Sequence, residues 1–136
     1  MLKIILLMSL MLAAISVHAD AFVANTGDQQ LDQSLNELNK QAAKKKYRFM
    51  KNLADEYQLP VSKIEMMIKV HEFTPADCFL TVAVADASGQ SVEVISRARI
   101  EHRDKGWQFI TDQLRIGLTS DAFKQIKQDA SINFLR

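Results

Sequence analysis

One stretch constrains this chain more than any other: Thr74-Pro75-Ala76-Asp77, followed by residues 78–87. Thr74 offers a capping hydroxyl, Pro75 suits the first helical position, and Asp77 can reach back while complementing the helix dipole. Residues 78–87 are apolar nearly all round, so a helix there must be surrounded by others. Gly89 fits its C-terminal stop. Ser91 can cap a further segment carrying Val92, Val94 or Ile95, and Ala98. A rival reading stands beside this one. Residues 81–85 and 91–95 are rich in β-branched side chains, and the Ala-Ser-Gly-Gln link between them suits a hairpin spanning about 79–96, within an α+β fold. The cap tilts the balance to helix, because it is wasted on a strand.

The flanking segments repeat a helical period. Leu31, Leu35, Leu38 and Ala42 recur at spacings of four, three and four, but Asn36, Asn39 and several glutamines thin that stripe. Such a helix packs weakly or serves a partner. Phe49, Met50, Leu53 and Tyr57 resume an apolar face until Pro60, before which the helix must end. Val61, Ile64, Met67 or Ile68, and Val70 suggest the inward face of another helix. Trp107, Ile110 and Leu114 mark the next, opened by Gly106 and stopped by Gly117. Thr119 or Ser120 then caps a last helix with Ala122, Phe123 and Ile126. The expected fold is all-α, a small single-domain bundle of five to six helices. Its organisation divides into a loose, weakly amphipathic N-terminal segment at 20–43, a compact domain at 44–128 and a tail at 129–136.

This order resembles a group of uncharacterised secreted bacterial helical proteins carrying a Gly-Trp helix start. The matching residues are Pro75, Asp77, Ser88, Gly89, Gly106, Trp107, Phe123, Ile126 and Lys127, within about 55–128. Gln108 stands where a second glycine often follows the tryptophan, and Arg115-Ile116-Gly117 replaces a Leu-Gly-Ile ending. The resemblance implies an all-α fold and brings no activity with it.

Residues 1–19 read as a secretory signal peptide: a lone positive charge at Lys3, an apolar run from Ile4 to Val17, and small residues at Val17 and Ala19. The run is short for a membrane span. Cleavage near Ala19 implies a periplasmic or secreted protein with no transmembrane segment left. Lys3 is the only charged residue before Asp20, so its loss turns 17 basic and 16 acidic residues into 16 of each. A globally basic nucleic-acid binder is not indicated.

Candidate chemistry is sparse. Cys78 is the single cysteine and cannot make an intramolecular disulfide. Its apolar neighbours favour a small buried hydrophobe over a reactive thiol or an intermolecular bridge. His71-Glu72 and His102 with Asp104 fall short of the three or four converging ligands that zinc needs, so no metal or other cofactor is expected. No serine sits in a nucleophile elbow or an acylating Ser-x-x-Lys setting. Lys44, Lys45, Lys46, Arg48 and Lys51 form a basic run, and the spacings of four and three put Lys44, Arg48 and Lys51 on one helix face. That run suits an anionic envelope surface, or simply a solvated face balanced by Asp32, Glu37, Asp55 and Glu56. Trp107 is either the floor of a ligand cleft beside His102 or the first core residue of its helix; its stripe favours the core. The expected function is a non-enzymatic interaction or binding module, with an unknown protein or envelope component as partner. The alternatives are a small ligand-binding protein or enzyme with a cleft near Trp107, and an envelope binder through residues 44–51.

Overall fold

The computed structural model describes residues 22–131, within which every regular element is helical. The signal-peptide reading of residues 1–19 and the tail beyond Ser131 lie outside the described residues. Seven α-helices follow in order: α1 (Gln29–Lys44), α2 (Lys46–Glu56), α3 (Val61–Lys69), α4 (Pro75–Ser88), α5 (Val92–Glu101), α6 (Gly106–Gln113) and α7 (Asp121–Ser131). A 3-10 turn, Arg103–Lys105, leads into α6. The hairpin alternative for 79–96 is ruled out, because those residues belong to α4, α5 and the turn between them. The β-branched residues of α4 pack in a helix surrounded by others, where burial outweighs their weak helical preference.

α4 is the axis of the bundle and packs against α1, α3, α5 and α7. Its start behaves as the residues suggest: the Thr74 hydroxyl accepts from the Asp77 amide at 3.2 Å, and Pro75 occupies the first turn. Ala76 through Ala85 are all buried. Gly89 closes the helix at φ 71°, a left-handed conformation that costs a glycine little. Ser91 then caps α5 by accepting from the Val94 amide.

The N-terminal segment departs from its expected looseness. Leu31, Leu35 and Ala42 are essentially inaccessible, and α1 packs on both α4 and α7. Polar residues that thin its stripe are put to use. The Asn39 Oδ1 accepts from the Ala76 amide at 2.7 Å, satisfying one of the orphan donors at the start of α4. Residues 22–27 are likewise a docked strap. Trp107 N donates to Ala24 O and Gln108 N to Asn25 O, both at 2.9 Å, so the strap supplies the acceptors that the first turn of α6 lacks. Thr26, 1% exposed, donates its amide and its hydroxyl to the Asp32 carboxylate.

Candidate functional site

Gly106 has φ 77°, and a Cβ there would lie 2.8 Å from the Cβ of Asn25. Glycine is required twice over, for the backbone angle and for the strap's approach. The next residue, Trp107, is completely buried. Its indole N–H donates to Asp77 Oδ1 at 2.9 Å, and the same oxygen accepts from Arg99 Nε at 3.0 Å. The Arg99 guanidinium also lies over the indole, 5.4 Å from its centroid. Asp77 Oδ2 accepts from the Thr74 hydroxyl, which joins this cluster to the cap of α4. Three helices, α4, α5 and α6, are thus tied at one carboxylate. Trp107, Asp77 and Arg99 are all buried, and none of them lines the two concavities described below. The role of the cluster is architectural: buried charges persist when paired and hydrogen-bonded, and this pair fixes the register of three helices.

The other residues singled out from the sequence scatter. His71 stacks at a tilt on Phe73, and its carbonyl accepts from Arg103. His102 packs on Phe109. Among the described residues no three His, Cys, Asp or Glu side chains converge to hold a metal. Cys78 is fully buried, and that burial pushes its thiol well above the ordinary value of 9.0, so it stays protonated and unreactive in the native state. The basic run does not share one continuous helix. Lys45 leaves the helical region at φ −137° and ψ 54°, ending α1 at Lys44 and starting α2 at Lys46. Lys44, Arg48 and Lys51 therefore do not align by helical spacing. All five basic residues are nonetheless exposed, gathered at the α1–α2 corner around Tyr47, which is 70% exposed.

No protein family, curated protein or solved structure matches this chain. The site has to be read from its own geometry.

That geometry points to the side of the bundle where α3 and α5 run alongside each other. Lys63 meets Glu93 at 2.8 Å near the starts of the two helices. Beyond this pair, α3 and the turn after it contribute Met66, Met67 and His71, and α5 contributes Ser96, Arg97 and Ile100. These residues line a trench of about 330 Å³. Met66 and Ile100 in this lining are 55% and 40% exposed, and Val70, the chain neighbour of the lining residue His71, is 68% exposed. A second concavity of about 370 Å³ lies beyond the ion pair, with Tyr57, Asp86 and Gln90 in its wall; Lys63, Val92 and Glu93 border both. The Lys63 ammonium holds the Glu93 carboxyl below its usual value, so the divide stays charged through neutral pH.

The sequence carries no sign of this trench. Periodicity assigns Val70 to the inward face of α3 and leaves Val94 and Ile95 as alternatives. In the fold Val70 lies one step past the last turn of α3 and faces out, and Ile95 is buried while Val94 is not. Arg97, also in the trench, carried no signal in the sequence.

Proposed function

We propose that this chain is an exported, non-enzymatic binding module whose receiving surface is the α3–α5 trench. The supporting observation is the pair of exposed apolar lining residues Met66 and Ile100, with exposed Val70 next in the chain to the lining residue His71, at a concavity of ligand size on a bundle whose other apolar stripes are largely buried against each other. The apolar face of α1, the other candidate for a partner, is already consumed by α4 and α7. A photo-crosslinking side chain at Val70 should capture an occupant in the intact cell envelope, while the same side chain at exposed Lys124 on α7 should not. Equal capture at both positions, or none at Val70, would sink the reading.

A second reading has its own observation. Exposed Lys44, Lys45, Lys46, Arg48 and Lys51 surround exposed Tyr47, and an aromatic set among cations suits an anionic membrane surface. Replacing Lys44, Lys45 and Lys46 by glutamine should then weaken binding to vesicles rich in anionic lipid. Unchanged vesicle binding removes this reading and leaves the trench untouched.

A further inference from the structure

Resting on that reading of the trench, we infer its occupant: an unbranched apolar chain of about ten carbons ended by a carboxylate, which Arg97 holds. The charges of the trench point to an anion. Lys63 and Glu93 neutralise each other, and Lys69 of α3, outside the lining, is tied to Glu65 at 2.7 Å. Arg97 is the exposed guanidinium in the lining, and no carboxylate lies within ion-pair distance of it among the described residues. Glu93, one turn before it, is held by Lys63, and Glu101, one turn after it, is outside the lining. A guanidinium presents a planar fork that matches one carboxylate in charge and geometry. A phosphate dianion would leave charge unmatched.

The shape points to a chain. The trench of about 330 Å³ holds on the order of ten groups the size of a water molecule, at about 30 Å³ each. A helix with its side chains is about 10–12 Å across, so two turns of one displace roughly three times that volume. A thin chain can be immersed where a helix can only rest on the rim. Met66 and Met67 supply unbranched, adaptable walls, which suit an aliphatic occupant of no fixed conformation.

The test is calorimetric titration of the purified protein with decanoate and, separately, decanol. Decanoate should bind at least tenfold more tightly than decanol. Arg97→Gln should remove that preference while leaving decanol binding and the thermal unfolding midpoint in place, and Arg97→Lys should restore part of it. Met66→Asn should weaken both ligands. Equal binding of decanoate and decanol, unmoved by Arg97→Gln, overturns the carboxylate assignment and leaves the trench reading intact. Binding of neither overturns the inference, and the trench reading then stands or falls on the Val70 crosslink alone. A polypeptide crosslinked at Val70 that excludes decanoate overturns it in favour of a partner helix.

Discussion

The indole of Trp107 and the carboxylate of Asp77 share a 2.9 Å hydrogen bond between residues thirty apart in the chain. The contact joins the two local motifs most visible in the sequence, the Gly-Trp helix start and the Thr-Pro-Ala-Asp cap. Trp107→Phe keeps most of the packing and removes the donor to a charged acceptor, which should cost about 1.5–3 kcal/mol. Trp107→Ala should cost more, about 3–5 kcal/mol, because a cavity is added. Urea unfolding followed by circular dichroism measures both. A Phe variant as stable as the parent would remove Asp77 as the anchor.

The pair of Asp77 and Arg99 makes a sharper prediction. Their side chains are 9% and 8% exposed, so losing either leaves a charge buried without its partner. Asp77→Leu or Arg99→Met alone should destabilise by about 3–5 kcal/mol. The double variant should recover part of that loss, giving a coupling energy that a double-mutant cycle resolves. Simple additivity would mean the two charges act independently.

Two glycines with positive φ separate backbone strain from collision. Gly89→Ala meets nothing within 4 Å at φ 71°, so only the left-handed penalty of roughly 1–2 kcal/mol applies. Gly106→Ala is harsher on the backbone, because φ 77° with ψ 174° lies in a region essentially only glycine occupies, and it also drives a Cβ to 2.8 Å from the Cβ of Asn25. It should cost more and should release the strap. Amide exchange at Trp107 and Gln108 would then rise in the Gly106 variant and stay protected in the Gly89 variant.

Stability should erode at both ends of the pH range, for opposite reasons. Asp28 caps α1; the Leu31 amide, with Lys127 adding to it, holds its carboxyl below the ordinary 3.8. A depressed folded value means a contribution present above pH 3.8 and lost as pH falls through the lower folded one. Asp28→Asn should flatten that acid limb. Tyr57 is the reverse. Burial, with the Asp129 carboxylate that accepts its hydroxyl at 2.8 Å, raises it far above 10.0. Above pH 10 the unfolded state releases that proton and the folded state keeps it, so stability falls as pH rises. Tyr57→Phe should remove this alkaline loss.

Cys78 supplies a probe of global opening. Its thiol is fully buried and held protonated, so native protein should react with a thiol reagent only through unfolding. The labelling rate should track the unfolding equilibrium across added urea. Rapid labelling without denaturant would show a local opening at α4.

The all-α architecture, the central buried helix and most helix boundaries were legible, because each rests on local chemistry: Thr74 and Ser91 as caps, Gly89 as a stop, Gly106 before Trp107. The burial of Trp107, Ile110, Phe123 and Ile126 followed from stripes three and four residues apart. What the local pattern could not carry was the fate of single residues whose setting depends on distant segments. Asn39 reads as a flaw in α1 until the start of α4 is placed beside it. Nothing local marks Arg99 as buried; its pairing with Asp77 and its place over the Trp107 ring decide it. Lys45 turns the chain where the sequence reads as one helix.

By itself, then, the sequence favoured a helical chain and determined where most of its helices start and stop and which side chains share most of its stripes. Only the tertiary structure decided which stripes find a neighbour. α1, expected to stay loose, is buried by α4 and α7, whereas Met66 and Ile100 border a trench that the bundle leaves open. The physical reason is that periodicity is set by 3.6 residues per turn within one segment, while burial requires another segment to arrive.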